Sequence, residues 1–225
     1  MTVIFAGAFE DCAVIGGDQL RHEYFTLQPA GFASKVRRIN DRVWGAKAGY
    51  GPTADRLWDD LTGLPGVEDM CIEELAAHTR TLGSKVYQGC LALLPVGAKD
   101  PGLYLFLAGV NANGLSSVHW LNFQLGDFGS AIGPGKAFAF GPDPSVHTQA
   151  TALLQVQLTT QGRFAVAALD TWAISLTKYA RQLAAHAVGF PTDLVLIIKD
   201  SPVKRCLLEE ASPSDPAFTR CLFPL

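Results

Sequence analysis

The sequence of 225 residues carries a formal net charge of −3 at pH 7, and 48% of its residues are hydrophobic while 17% are charged. This composition supplies enough apolar material for a packed core and excludes an intrinsically disordered chain. Because the net charge is small and no basic run stands out, we expect neither nucleic acid nor an anionic membrane as the main partner.

The chain begins with two predicted hairpins. Short apolar runs cover residues 2–9 and 12–17 and are separated by two acidic residues, which indicates two strands joined by a turn. Neither run alternates strictly between apolar and polar residues, so we expect both faces of this sheet to be covered. After a polar stretch, a second hairpin is predicted over residues 35–39 and 42–48, with its turn at Asn40 and Asp41.

Two predicted helices and a further hairpin follow. Residues 53–64 and 68–87 both place apolar side chains at helical spacing. Residues 103–110 and 117–125 have the composition of strands, and Asn113–Gly114 between them is a strong turn signal. The middle of the chain is therefore expected to contain two helices and then two strands.

The remaining elements are a short strand, two helices and a closing pair of strands, predicted over residues 137–140, 145–158, 171–188, 193–199 and 204–208. The whole order is strands, two helices, strands, two helices, strands. This order favours two stacked, mainly antiparallel sheets with a pair of helices outside each one. We therefore predict an α+β fold, a four-layer αββα sandwich, in one domain spanning residues 1–225.

The cysteines predict no disulfide framework and no metal site. They are five in number, are far apart and form no CxxC pair: Cys12, Cys71, Cys90, Cys206 and Cys221. We expect free thiols in a reducing compartment. The first residues lack the basic stretch of a signal peptide, and no run reaches the roughly 18–20 apolar residues of a membrane span. The prediction is a cytoplasmic protein without metal or cofactor.

Several short motifs occur in a fixed order. Thr2 follows the initiator methionine, and Asp18 stands in a Gly-Gly-Asp-Gln motif. Lys35 lies in the run Ser-Lys-Val-Arg-Arg-Ile, and Gly49 ends the run Gly-Ala-Lys-Ala-Gly. Together with Thr-Ala-Asp-Arg-Leu and Leu-Ala-Gly-Val-Asn further on, these motifs resemble the proteasome β subunits. These are N-terminal-nucleophile hydrolases, and the HslV-type bacterial peptidases and related bacterial proteasome homologues are the members that the chain resembles in particular.

The resemblance implies a catalytic group of four residues. Thr2 would be the nucleophile, and its α-amine, once Met1 is removed, would take the proton of its own hydroxyl. Lys35 would lower the pKa of that hydroxyl, and Asp18 would keep the lysine charged and oriented. The backbone N–H of Gly49 would stabilise the oxyanion of the tetrahedral intermediate.

Lys47 is the candidate substrate-binding residue. In the resembling family, the side chain two residues before the oxyanion glycine forms the base of the pocket for the residue that precedes the cut. An ammonium group there would pair with an acidic substrate side chain and disfavour apolar or basic ones. The alternative is a strand lysine whose head reaches water or a neighbouring carboxylate.

The resemblance implies a threonine-type endopeptidase that cuts unfolded polypeptides inside a self-assembled homo-oligomeric ring, with an ATPase unfoldase as a possible partner. The sequence adds an argument for assembly, because the helix faces carry more apolar residues than one core readily needs. These residues are Leu57, Trp58, Leu61, Leu75 and Leu82.

The sequence departs from the family pattern at two supporting positions. The stretch 140–144, Phe-Gly-Pro-Asp-Pro, lacks the serine expected before the third helix, and the stretch 185–189 lacks an expected acidic residue and serine. A second hypothesis is therefore a catalytically inactive structural subunit that only assembles rings or binds partners. A non-proteolytic amidohydrolase is a third, although most of those enzymes use a cysteine nucleophile and position 2 is threonine.

Overall fold

A computed structural model of the protein describes residues 2–10, 12–22, 28–133, 135–161, 166–199, 201–210 and 223–224. The strands are β1 (Ile4–Ala8), β2 (Cys12–Asp18), β3 (Leu20–His22), β4 (Pro29–Phe32), β5 (Val36–Arg38), β6 (Val43–Gly49), β7 (Leu103–Val110), β8 (Ser116–Asn122), β9 (Asp127–Ile132), β10 (Lys136–Phe140), β11 (Thr192–Ile198), β12 (Lys204–Leu208) and β13 (Phe223–Pro224). The α-helices are α1 (Gly51–Thr62), α2 (Ile72–Ala92), α3 (Ser145–Gln161) and α4 (Val166–Leu183).

The largest sheet has six antiparallel strands in the order β10-β1-β2-β11-β12-β13. The hairpin of β1 and β2 places Ile4 opposite Gly17, so the residues that precede β1 lie beside the end of β2. On the other side of β2, the first residue of β11, Thr192, lies opposite Asp18. The beginning of β1, the end of β2 and the beginning of β11 therefore meet at one end of this sheet.

The second large sheet has five antiparallel strands in the order β5-β6-β7-β8-β9. The hairpin of β5 and β6 pairs Val36 with Ala46 and continues toward the beginning of β5 and the end of β6. The helix α1 follows β6 after a short turn and carries a proline in its first turn, a position where the missing N–H of proline costs no hydrogen bond.

The predicted fold class was wrong in the number of its sheets. The sequence predicted a four-layer αββα sandwich of two sheets, whereas the described residues form three sheets, of six, five and two strands, with four α-helices in an α+β arrangement. The third sheet pairs β3 with β4, in the polar stretch for which no element was predicted. Pairing there satisfies backbone groups beyond the end of β2, a demand that side-chain periodicity does not reveal.

Apolar side chains pack in three clusters, and β1 contributes to two of them. Val3 and Phe5 belong to the cluster that includes Trp172 of α4, whereas Ile4 belongs to the cluster that holds Ala46 of the five-stranded sheet. Both faces of β1 are therefore covered by apolar atoms, which is why the apolar run lacks alternation. The third cluster packs side chains of α1 and α2 against the five-stranded sheet.

The apolar faces of α1 and α2 do not support assembly, contrary to the argument made from the sequence. Leu57, Leu61 and Leu75 are fully buried within the single chain, and Trp58 is 1% exposed. Leu82 packs, partly buried, against the same cluster. The sequence could not show how much of each helix face the five-stranded sheet would cover. Among the described helices, none is long and apolar enough to cross a membrane.

Candidate active site

The candidate site lies where β1 begins and β2 ends. The backbone N–H of Asp18 donates to the carbonyl of Val3 at 3.1 Å, which extends the pairing of the hairpin beyond the two strands. This extension brings Thr2 beside Asp18 although they are far apart in the sequence. Lys35 stands directly before β5, in the segment that leads into the other large sheet, and reaches across to the same carboxylate.

Asp18 is the centre of the site. Its side chain is fully buried, and its Oδ1 accepts hydrogen bonds from the Thr2 hydroxyl, from the Val3 amide at 2.9 Å and from the Lys35 ammonium at 2.7 Å. The Gly189 amide donates to Oδ2 at 3.4 Å. A buried carboxylate is costly unless it is paired and hydrogen-bonded, and these donors meet that need.

The Lys35 side chain is 12% exposed and forms an ion pair with Asp18. Burial lowers the pKa of the Lys35 ammonium below its usual range, the charge of Asp18 opposes that shift, and the nearby charges of Lys47 and Arg21 add to it. A lysine with a lowered pKa exchanges its proton more readily near neutral pH than a surface lysine does. Lys35 is therefore suited to proton transfer or to stabilising a developing negative charge.

Thr2 is 7% exposed, and its hydroxyl donates to Asp18. This hydrogen bond fixes the direction of the hydroxyl and places it on the same oxygen that binds Lys35. Within the described part of the chain, Thr2 makes no side-chain hydrogen bond other than this one. The predicted removal of Met1 concerns a residue that lies outside the described residues, so the role of the Thr2 α-amine stays a prediction.

Lys47 lies directly opposite Lys35 on the neighbouring strand, and its amide donates to the Lys35 carbonyl at 3.0 Å. Two like charges at a cross-strand pair repel each other. Each is neutralised by a different carboxylate: Lys35 pairs with Asp18, and Lys47 pairs with Asp55 of α1. The Lys47 head thus binds a neighbouring carboxylate, as in the alternative given for it, and its role in substrate binding stays a prediction.

Gly49 ends β6 with a φ of 103°, which an L side chain rarely adopts. A Cβ atom at this position would lie 2.2 Å from the carbonyl oxygen of Gly102, so glycine is required by close backbone approach as well. In the described residues, no hydrogen bond joins Gly49 to Thr2. The structure thus brings Thr2, Asp18 and Lys35 into one hydrogen-bonded group, with Lys47 beside it, and the role of Gly49 toward the oxyanion stays a prediction.

The two departures noted in the sequence have local explanations. Asp143 accepts from the Ser145 amide at 2.8 Å, and the Ser145 hydroxyl binds the Tyr179 hydroxyl at 3.0 Å, so both side chains serve the start of α3. In the stretch 185–189, a backbone amide, that of Gly189, reaches Asp18. The contacts found there between this stretch and Asp18 therefore come from the main chain rather than from a serine or an acidic residue.

Sequence reasoning missed His22, which lies four residues after Asp18 in β3. Its Nε2 binds the carbonyl of His186, and because a carbonyl only accepts, Nε2 carries the proton. Burial lowers the pKa of His22, an effect opposed by the hydrogen bond to His186 and influenced by Lys35 and Asp18 nearby. Burial therefore disfavours the charged form of the imidazole, a property that no sequence spacing indicated.

Sequence reasoning also missed Asp193 and Arg205, which form an ion pair at 2.7 Å near the same end of the six-stranded sheet. Asp193 was assigned to the beginning of a predicted strand, and Arg205 to the strand that follows it. An acidic residue inside an apolar strand, Thr-Asp-Leu-Val-Leu-Ile-Ile, was the available signal. A charge in such a position is rarely buried unless it is paired.

The comparisons with known proteins show a fold and no family. No protein-family model matches the chain, and no curated protein matches it. Among solved structures, the chain is similar to the structure of the helical assembly of the Anbu complex from Pseudomonas aeruginosa. The two share 16% sequence identity with a TM-score of 0.71, over 96% of this chain and 89% of the other.

The resemblance inferred from the motifs is corrected by these findings. The sequence suggested an HslV-type or related proteasome homologue, but neither a family model nor a curated protein supports that assignment. At 16% identity, the solved structure shows a common fold alone. The motifs were short, and each of their residue types also has a purely structural use in turns and at strand ends, so they overstated the relationship.

Proposed function

We propose that this protein is a threonine-type peptidase in which Thr2 is the nucleophile and becomes the N-terminal residue when Met1 is removed. The observation that supports this proposal is the buried group in which one oxygen of Asp18 binds both the Thr2 hydroxyl and the Lys35 ammonium. In this group a carboxylate and a lysine of lowered pKa lie beside a hydroxyl, and a hydroxyl nucleophile is activated by neighbouring basic and charged groups.

The proposed reaction proceeds in two steps. The Thr2 hydroxyl leaves its hydrogen bond to Asp18 and gives its proton to the freed α-amine, and its Oγ attacks the carbonyl carbon of the scissile bond. The tetrahedral intermediate then expels the amine of the C-terminal fragment, which takes that proton. Water then attacks the ester that links the N-terminal fragment to Thr2, releases that fragment as an acid and returns the proton to Oγ. Both peptide products and the free hydroxyl are thereby accounted for.

Lys35 is proposed to stabilise negative charge on Oγ as the proton leaves. A buried ammonium acts more strongly than one in water, because the surroundings screen it less. Asp18 keeps Lys35 in place and partly offsets the effect of burial on its pKa. Gly49 is proposed to donate its backbone N–H to the oxyanion once substrate is bound.

The proposed substrates are unfolded polypeptides, and the proposed working form is a homo-oligomeric ring, with an ATPase unfoldase as a further proposed partner. The shared fold with a complex that forms a helical assembly supports association of identical chains. The ring, the enclosed chamber and the unfoldase are further steps of the proposal.

A catalytically inactive structural subunit is the second candidate, and a specific observation favours it. In the described residues, no serine or acidic side chain from residues 140–144 or 185–189 binds Thr2 or Asp18, and the Gly189 amide takes that place. If these contacts are needed to orient the nucleophile, the fold serves assembly alone. The test of the first candidate also separates the two.

The test is peptide hydrolysis combined with the intact mass of the purified protein. We expect the active protein to lack Met1, the Thr2→Ala variant to lose turnover while it stays folded, and the Thr2→Ser variant to keep part of it. Full retention of Met1 in a preparation that cleaves peptides contradicts the mechanism. So does a Thr2→Ala variant with more than about a tenth of wild-type activity, since such groups contribute about 100-fold or more.

A further inference from the structure

The residues that flank the candidate site are held by a second set of polar contacts. Gln19 directly follows Asp18, and Ser34 directly precedes Lys35. The side-chain amide of Gln19 donates from Nε2 to Oδ2 of Asp193 at 2.7 Å, and the Arg205 guanidinium donates to the Ser34 hydroxyl at 3.1 Å. Because Arg205 also binds Asp193, the two flanking residues are linked through one ion pair.

Asp193 is 1% exposed and is a buried charge with defined partners. Its Oδ1 accepts from Arg205 Nε at 2.9 Å and from Arg205 Nη2 at 2.7 Å. In the pairing of β11 with β12, Asp193 lies opposite Leu207, so Arg205 stands diagonally across from it on the same face of the sheet. Removal of the guanidinium would leave a buried carboxylate without its counter-charge.

Ser34 uses its full hydrogen-bonding capacity in these contacts. A serine hydroxyl has one donor and two acceptor positions. The hydroxyl donates to the Val36 carbonyl at 2.8 Å and accepts from the Val36 amide at 3.1 Å and from Arg205 Nη2. The segment that carries Lys35 is thus closed into a local loop and tied to Arg205.

The contacts form two links between the two large sheets at the same end of the molecule. One is the ion pair of Lys35 with Asp18, which belongs to the candidate site. The other is the hydrogen bond of Arg205 with Ser34. The Arg205 side chain is 33% exposed, and Asp193 orients its guanidinium. A displacement of the second link moves the backbone on which Lys35 stands, because the two residues are adjacent.

We propose that Arg205 is a positioning residue for the candidate site, which acts through Ser34 on Lys35 and through Asp193 and Gln19 on the end of β2 that carries Asp18. This inference rests on the proposed function for its kinetic consequence and on the contacts alone for its structural one. Arginine suits the position because its planar fork binds Asp193 with two nitrogens while one of them also reaches Ser34. A lysine cannot make these contacts together.

The test uses two variants and a matched control. Ser34→Ala removes the link to Lys35 and leaves the ion pair of Arg205 with Asp193 intact. Arg205→Lys keeps a counter-charge for Asp193 but loses the fork. Arg38→Lys is the control, because Arg38, at the end of β5, forms an exposed ion pair with Asp41 and makes no contact with the described residues of the candidate site.

The first measurement follows the modification of Lys35 by an amine-reactive reagent across a range of pH, quantified by mass spectrometry on Thr2→Ala protein. In both variants we expect the pH at which Lys35 becomes reactive to rise toward the ordinary lysine pKa, because the burial that lowers the pKa is lost. A loss of stability alone would lower the melting temperature without changing the titration of Lys35 in the folded protein. The control is expected to match the parent.

The second measurement is peptide hydrolysis on the active protein. We expect kcat to fall about tenfold or more in both variants with little change in KM, since a displacement of about 1 Å can cost about 100-fold in rate. The labelling decides the positioning role even if the protein cleaves no peptide, so failure of the proposed function and failure of this inference give different results. If Arg205→Lys does not fold, Ser34→Ala decides by itself. An unchanged Lys35 titration in folded Ser34→Ala overturns the proposal.

Discussion

One oxygen of Asp18 receives the Thr2 hydroxyl, the Val3 amide and the Lys35 ammonium. Three donors on one oxygen are favourable only while the carboxylate is charged. They make the side chains of Asp18, Thr2 and Lys35 energetically dependent on one another. At this scale the protein therefore offers single substitutions whose effects on activity and on stability can be measured separately.

The first prediction concerns Lys35. Lys35→Ala should lower turnover about 100-fold or more, because negative charge on Thr2 loses its support. It should also lower the free energy of unfolding by about 3 kcal/mol or more, since Asp18 is left buried without its counter-charge. Peptide hydrolysis and urea unfolding measure the two effects. Lys85→Ala, at an exposed position of α2, is the control and should change neither.

A second prediction concerns Lys47, which pairs with Asp55. If the Lys47 ammonium lines the substrate pocket, cleavage after Glu or Asp should be faster than after Leu or Arg, and Lys47→Met should shift the preference toward apolar residues. Asp55→Asn should increase the preference for acidic residues, because the substrate no longer competes with Asp55 for the ammonium. Profiling with a peptide library measures this. An equal preference for apolar residues in the wild type and in Lys47→Met would place Lys47 outside the pocket.

At the scale of elements, α4 packs a carboxyl group against the six-stranded sheet. Asp170 of α4 is 5% exposed, and its described partner is the Cys206 thiol of β12 at 3.9 Å. Burial raises the pKa of Asp170 to about 6, and the contact with Cys206 only partly opposes that shift. Unlike Asp18, this carboxyl group has no cation among the partners that the described residues give it, so folding favours its neutral form.

The third prediction follows from Asp170. The pKa of Asp170 is higher in the folded than in the unfolded state, so its contribution to the free energy of unfolding is complete below about pH 4. That contribution, about 3 kcal/mol, is lost as the pH rises through about 6. Asp170→Asn should therefore be more stable than the wild type at about pH 8 and nearly equal to it at about pH 4. Urea unfolding at both pH values measures the difference. The same stability difference at both values would show that Asp170 does not titrate in this range.

At the scale of the whole molecule, the proposed assembly would need surfaces other than the faces of α1 and α2 that the sequence indicated. The apolar side chains of α1 and α2 are used inside the chain. Large apolar side chains that remain exposed include Leu93 at 86%, Val96 at 107% and Leu125 at 77%. Exposed apolar residues of this kind mark interaction surfaces when they occur together.

The fourth prediction is that the protein associates with itself. Sedimentation equilibrium or light scattering at micromolar concentrations should give a mass several times the 24.1 kDa of one chain. The physical reason is that the proposed working form is a ring, which identical chains would build by closed symmetry. A mass near that of one chain over this range of concentration would contradict the proposed ring and leave the chemistry of Thr2 to be tested alone.

The residues of the candidate site were named from the motifs that carry the family resemblance, and local patterns placed two of them at strand ends. Asp18 closes an apolar run, and Lys35 opens another, so both were expected at strand ends. Their meeting at one carboxylate oxygen could not be predicted from spacing, since it depends on how the two large sheets face each other. His22 was given no role because the histidines show no paired spacing, and no local pattern around Arg205 indicated its partner.

The sequence by itself determined the four helices, most of the strands and their order, because apolar periodicity and turn residues act within a few positions of one another. The strand β9, like β3 and β4, was not predicted. The sequence determined also that β1 and β2 are covered on both faces, since their apolar runs do not alternate. Only the tertiary structure decided the third sheet of β3 and β4, the complete burial of the α1 face and the ion pairs of Lys47 and Arg205. These features depend on which distant surfaces meet, and that choice is made by packing of the whole chain rather than by any local pattern.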